Sequence, residues 1–275
     1  MAASLGISVI VTAYNRKEYL HYALQSLEQQ SVKAFETILI TNFPFDIHRY
    51  NIQIKHFQQD STIGDFLYTG VTNSSHEIVC FLDDDDLFEA NKIETISKEF
   101  EDSDVVYFHN NYDIIEDRGR ITTLLSKSHA SANLSAISVR KSIIDIEILK
   151  STWTAPDDLM YLFAIRSGLK IVVSLLKLSF YRRYSLNISA NRRDNIPSMK
   201  YGLQQLTEYE KYFQDCPACM KHINASKSHI NLVIDAVSRQ RFPNLFLTTF
   251  RLAVNFDWVL LKVMLKYFIS DYFRK

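Results

Sequence analysis

Ile7-Ser8-Val9-Ile10-Val11-Thr12 is an apolar, β-branched run and predicts a strand. A short polar connection, Ala13-Tyr14-Asn15-Arg16, follows it. Tyr19, Leu20, Tyr22, Ala23, Leu24, Ser26 and Leu27 then fall at helical spacing through Gln30. The strand pattern returns at Glu36-Thr37-Ile38-Leu39-Ile40 and near Ile52-Gln53-Ile54. Ile78 to Leu82 reads as a short strand buried on both faces. Strand, helix and strand at this spacing form a βα unit with a right-handed crossover. Val105-Val106-Tyr107-Phe108 and Ala136-Ile137-Ser138-Val139 are further strand candidates. An amphipathic helix is expected from Arg140 through Leu149. The class that follows is α/β with a mostly parallel central sheet.

The buried run at Ile78 ends in Asp83-Asp84-Asp85-Asp86. Open α/β sheets bind ligands at the carboxyl ends of their strands, which is where these acids stand. Four adjacent carboxylates repel one another, so a fold that keeps them together has reason to share a cation. Oxygen-only ligation suits Mn²⁺ or Mg²⁺, and Mg²⁺ commonly sits between one or two carboxylates and a substrate diphosphate. The competing reading is a solvated acidic turn before a helix that starts near Glu89.

Composition narrows the classes. A chain of 275 residues with 47% hydrophobic content can bury a full α/β core with room for an appended element. The formal net charge of +0 gives no basic field, so nucleic acid is not an expected partner. The 6 glycines form neither a GxGxxG nor a GxxxxGK[ST] loop, which removes the main support for dinucleotide or P-loop readings. The N-terminus has no basic region leading into an apolar stretch, and 3 cysteines fit a reducing compartment, so a cytoplasmic location is expected. Cys216-Pro217-Ala218-Cys219 is a CxxC without a second one, and it reads as two ordinary helix-end thiols.

A second acidic group lies at Ala155-Pro156-Asp157-Asp158-Leu159. Proline before two aspartates, with Leu159, Leu162, Phe163 and Ile165 following, marks the first turn of a helix. Plain capping is one explanation, since an acid there stabilises a helix by roughly 0.3–1 kcal/mol.

Two segments together carry a resemblance. Ser8 to Arg16 looks like the opening of the family 2 inverting glycosyltransferases of the GT-A fold, and Phe81-Leu82-Asp83-Asp84-Asp85-Asp86 is similar to their Leu-Asp-x-Asp-Asp metal motif. The resemblance runs from about Ile7 to Ser189 and implies a metal-dependent transfer of a sugar from a nucleotide-diphosphate donor to a saccharide or lipid-linked acceptor. It implies that Thr12, Tyr14 and Asn15 lie against the nucleotide, that Asp84 contacts the ribose, and that Asp85, with Asp83, holds Mn²⁺ or Mg²⁺. The acidic pair matches the family's Glu-Asp, whose Asp is the catalytic base. Asp158 occupies that place, with Asp157 the alternative.

The chain departs from the family pattern in three places. After the second strand, Thr41-Asn42-Phe43-Pro44 replaces Asp-Asp-Gly-Ser, so Asn42 becomes the candidate base contact and the choice of UDP or GDP stays open. Gly64-Asp65-Phe66 replaces Ala-Arg-Asn, removing a diphosphate-binding Arg. Tyr181-Arg182-Arg183-Tyr184-Ser185 resembles Tyr-Arg-x-His-Ser with Tyr184 for His, which puts a metal role there in doubt. Arg182 and Arg183 are candidates to clamp the diphosphate from a mobile loop, against the alternative of a solvated strand end.

The expected organisation is a catalytic GT-A type domain over residues 1–195 and a C-terminal helical region over 196–275, joined through a polar linker near Asn191–Pro197. The stretch Phe242 to Lys275 is interrupted by Arg251, Asp257, Lys262, Lys266 and Asp271 too often for a transmembrane span. Its polar positions Arg251, Asn255, Lys262, Lys266, Ser270 and Arg274 leave a wide apolar face. It reads either as an interfacial helix on the cytoplasmic face of a membrane or as a helix packed on protein. The first of these goes with a polyprenyl-linked acceptor. A non-catalytic member that binds a nucleotide sugar or glycan within a glycan-assembly complex is the alternative to the enzyme.

Overall fold

The computed structural model describes residues 6–50, 52, 54–57, 61–116, 121–123, 133–184 and 196–237. The chain divides into two compact units, Met1–Ser185 and Leu186–Lys275.

The first unit begins with β1 (Ile7–Ala13), α1 (Leu20–Glu28), β2 (Glu36–Thr41), β3 (Ile54–Phe57), α2 (Ile63–Asn73) and β4 (Ile78–Asp83). It continues with β5 (Leu87–Phe88), α3 (Lys92–Glu99), β6 (Val105–Glu116), β7 (Ile121–Thr123), β8 (Ile137–Arg140), α4 (Ile146–Lys150), α5 (Pro156–Ser167) and β9 (Lys170–Arg183). The sheet runs in the order β3-β2-β1-β4-β8-β6-β9-β5, with β7 beside β6. Its β3-β2-β1-β4 part is wholly parallel. Beyond β4 the sheet is mixed: β8 is antiparallel to both neighbours, and β6 and β9 are parallel.

All seven residues of β1 are buried, as expected of a central strand covered on both faces. One cover is α1, whose Leu20, Ala23, Leu24 and Leu27 form a single buried stripe. Each such leucine contributes about 1.5–3 kcal/mol through burial. In α2, the side chain of Thr62 accepts from Asp65 N while Asp65 accepts from Thr62 N, a reciprocal cap. A Cβ at Gly64 would stand 2.3 Å from the Leu149 carbonyl oxygen and 2.5 Å from that of Thr152. Gly64 and Asp65 therefore serve packing and capping where the family pattern has Ala-Arg.

Three expectations change. The helix foreseen from Arg140 to Leu149 is broken: Arg140 closes β8, a one-turn 3-10 segment covers Lys141–Ile143, and α4 starts afresh at Ile146. Asp145 is the cause, since its side chain accepts from Glu147 N and Ile148 N and caps a new helix. The helix foreseen near Glu89 starts at Lys92, because Leu87 and Phe88 pair with β9 first. Arg182 and Arg183 end strand β9 and are not on a loop.

In the second unit α6 (Ile196–Phe213) and α7 (Pro217–Val237) form a helical hairpin. The foreseen linker thus gives way to helix at Ile196, with Pro197 in the first turn, where its missing N–H costs nothing. Lys227 pairs with Glu210 across the hairpin at 2.9 Å. Cys216 and Cys219 are joined as a disulfide rather than left as thiols. The α6–α7 turn brings their Cα atoms to 5.2 Å, within bridging range. Among the described residues, no helix is long and apolar enough to cross a membrane. The apolar stretch from Phe242 to Lys275 lies outside the described residues.

Candidate active site

Parallel register sets Thr12 opposite Asp83, so the carboxyl ends of β1 and β4 meet. Thr12 Oγ1 donates to Asp83 Oδ1 at 3.2 Å, and Asp84 N donates to the Thr12 carbonyl at 3.1 Å. Asp86 N closes a turn onto the Asp83 carbonyl, and Ser135 Oγ accepts from Asp83 N at 3.0 Å. The acidic run is thus a fixed turn at the carboxyl edge of the parallel strands and not a solvated loop. Asp84 and Asp86 are each 1% exposed and Asp85 is 7%.

Charge in this turn is crowded. Burial, then the Asp85 carboxylate, raises Asp83 to about 6. Burial first, with Asp85 and Asp83 adding, also holds Asp86 well above the usual carboxylate range. Asp84 is raised as well, again by burial, against the opposing pull of Arg16.

Arg16 is the cation the sequence reading missed. Its guanidinium donates to Asp84 Oδ1 at 2.5 Å and to Asp85 Oδ2 at 2.8 Å. It also donates to the Tyr184 hydroxyl at 2.6 Å, and Tyr184 in turn donates to Asp85 Oδ2 at 3.1 Å. Burial disfavours the Arg16 charge, but Asp84, Asp85, Tyr184 and Asp83 outweigh it and hold the group more firmly protonated than usual. Tyr184 is therefore part of the acidic site, at the place where the family motif carries His. Its phenol is raised by burial and by Asp85.

Asn15 and Asn42 also come together. Asn15 follows β1 with a φ of 57°. Its N–H donates to Asn42 Oδ1 at 2.8 Å, and Asn42 Nδ2 returns a bond to Asn15 Oδ1 at 2.8 Å. Each amide keeps capacity for a ligand. Tyr14 is 43% exposed and rests edge-on against Phe66, a surface open to a flat ring.

Arg182 is committed to the turn. Its N–H donates to Asp86 Oδ1 and its Nε to the Asp85 carbonyl, both at 2.9 Å, and its guanidinium stacks 4.4 Å over the Tyr19 ring. These bonds give it the work of a brace. Arg183 is exposed at the end of β9.

Asp157 and Asp158 occupy the first turn of α5, on a separate element. Beneath them is Tyr107 of β6, fully buried, with its hydroxyl free of any hydrogen bond among the described residues. Burial, then Asp157 and, more weakly, Asp158, raise its phenol well above the ordinary value. Ala155, just before the pair, has a φ of 51°. Asn15 and Ala155 are the non-glycine residues with positive φ among those described, and each adjoins one of the two candidate groups. Such strain concentrates at functional sites.

Among the described residues, no three His, Cys, Asp or Glu side chains form a metal-binding group. Two carboxylates and a diphosphate suffice for Mg²⁺, however. Asp83 and Asp85 fit that role: each raises the burden of charge on its neighbours, and neither Asp83 Oδ2 nor Asp85 Oδ1 is taken by a hydrogen bond among the described residues.

The profile of glycosyl transferase family 2 matches residues 8–136. An uncharacterized glycosyltransferase of Rickettsia felis is 26% identical over 170 residues, covering 59% of this chain and 28% of its own length. One from a Nostoc species is 32% identical over 120 residues, covering 40% of this chain and 37% of its own length. The chain thus spans 28% to 37% of the length of these curated relatives. Among solved structures, S. aureus TarS 1–349 in complex with UDP-GlcNAc superposes with a TM-score of 0.56 at 14% identity, over 85% of this chain and 71% of that one. The UDP complex of the same fragment gives 0.53 at 14% identity, over 85% and 70%. The architecture is therefore of the GT-A type, and residues 8–136, from β1 to just before β8, match the model of glycosyl transferase family 2.

Proposed function

We propose that this chain transfers a sugar, with inversion, from a nucleoside-diphosphate donor bound over the ends of β1 and β4. The observation that carries this reading is the assembly of Thr12, Arg16 and the four-aspartate turn at that edge of a family 2 domain. Tyr14, Asn15, Asn42 and Asp84 are the groups proposed to hold the nucleoside. The UDP-GlcNAc and UDP complexes of the fold neighbour support uridine over guanosine. Asp83 and Asp85 would hold Mn²⁺ or Mg²⁺, which supplies charge compensation for the leaving diphosphate. Asp158 takes the acceptor hydroxyl proton as the new bond forms, and Asp157 is the alternative base. Acceptor and donor held at near-attack distance supply much of the remaining acceleration.

The test is thermal stability with UDP- and GDP-sugars, each with Mn²⁺ and with chelator, followed by donor hydrolysis. One uridine donor should raise the melting temperature with Mn²⁺, since a ligand that binds only the folded state stabilises it. Chelator should erase the shift. No shift with any donor would defeat the reading. A shift without hydrolysis or transfer to any acceptor would favour a non-catalytic binding member.

The acceptor is proposed to be lipid-linked, with the protein working at the cytoplasmic face of a membrane. Support comes from the sequence between Phe242 and Lys275, where Lys262, Lys266 and Arg274 interrupt a wide apolar face. Each such cation contributes about 1 kcal/mol near an anionic surface. The full chain should therefore sediment with anionic liposomes, while a chain ending at Pro243 should stay in the supernatant. A full chain that stays in the supernatant would place the segment against protein instead.

A further inference from the structure

The acidic turn carries its own counter-ion, and that counter-ion stands where a donor would arrive. Arg16 lies at the tip of β1 with its side chain 33% exposed, while the two carboxylates it bridges are nearly covered. Arg16 forms the ion pairs that reach Asp84 and Asp85. Arg182 donates from its side-chain Nε to the Asp85 carbonyl and from its own N–H to Asp86 Oδ1.

Asp85 Oδ2 already receives Arg16 and Tyr184 at 2.8 and 3.1 Å. A divalent cation on the same carboxylate would stand within a few ångströms of the guanidinium, and the two positive charges would repel in a site with little water to screen them. A guanidinium that loses a carboxylate needs another planar, anionic, bidentate partner, and a diphosphate is one. The sequence supplies no arginine for that group on α2, where Gly64 and Asp65 are tied to packing and capping.

We propose that Arg16 is an exchangeable counter-ion: it neutralises Asp84 and Asp85 in the donor-free enzyme, and passes from Asp85 to the donor diphosphate when a divalent cation takes Asp85. This rests on the cation and diphosphate reading above. Arg16 then opposes the cation before the donor binds and favours the donor once the cation is in place. A residue that merely props the turn has no such opposite signs.

The experiment titrates Mn²⁺ into the full chain without nucleotide, and then UDP and GDP at saturating Mn²⁺, for wild type, Arg16→Gln and Arg16→Lys. Arg16→Gln should bind Mn²⁺ alone about tenfold more tightly and the nucleoside diphosphate about tenfold more weakly, within the usual range of coupling between sites. Arg16→Lys keeps the charge without the fork, so its Mn²⁺ affinity should move less while its nucleotide affinity still falls. It also reports if the glutamine variant fails to fold, which melting curves establish beforehand. Weakening of both ligands in Arg16→Gln, or an unchanged Mn²⁺ affinity beside normal wild-type binding, would overturn the exchange while leaving the cation reading in place. If wild type and variants bind no Mn²⁺ with or without nucleotide, the cation reading fails and the exchange fails with it.

Discussion

Asp85→Ala should lower transfer by about 10²–10³-fold or more, the range seen when a single group that balances developing charge is removed. Asp85 is the meeting point of the site: Arg16 and Tyr184 both bond its Oδ2, and Arg182 bonds its carbonyl. Only the side chain is lost in the variant, so the Arg182 brace to the backbone remains. The fold should survive for a further reason. Burial and then Asp85 keep Asp83 and Asp86 above the usual carboxylate range, so deleting Asp85 relieves its neighbours. Arg16 keeps its pair with Asp84. The measurement is steady-state transfer with Mn²⁺ beside a melting curve. Lost activity with an intact transition is the expected result, and full activity at saturating donor without added metal would end the metal-dependent reading.

What the sequence made legible is local. β1, α1, β2 and β4 follow from short-range periodicity, and the acids follow from standing directly after a buried strand. Arg16 was in view as part of the strand-tip motif, yet nothing near it in sequence marks its partners. Asp84 and Asp85 lie 68 and 69 residues away, and Tyr184 lies 168 away. Tyr184 reaches the turn only because β9 pairs with β5, just after the acids, a long-range match that periodicity does not encode. The same strand explains Arg182. Its sequence neighbours suggest a phosphate clamp, but the β9 register sets its N–H on Asp86 and its side chain over Tyr19. The helix at Arg140 misled for a different reason: apolar spacing continues through Asp145, and only the side-chain bonds to Glu147 N and Ile148 N reveal a new start. The disulfide needed the α6–α7 turn, which composition alone does not foretell.

The acidic pair on α5 leads to the second large effect. Asp158→Asn should reduce turnover by roughly 10²–10⁴-fold with donor affinity little changed, because an amide keeps the shape but cannot accept the acceptor's proton. Two features favour a chemical role over helix capping. Ala155 holds a left-handed backbone of about 1–2 kcal/mol cost two residues before the pair, and capping alone requires no such strain. Neither carboxylate is fully exposed, as a simple surface cap would be. Between the two, Asp158 is the proposed base because it occupies the Asp place of the pair in the family pattern. Asp157→Asn is the control and should leave most of the turnover intact. If instead Asp157→Asn shows the large loss and Asp158→Asn does not, the base is Asp157, and the match of the pair to the family motif is displaced by one residue.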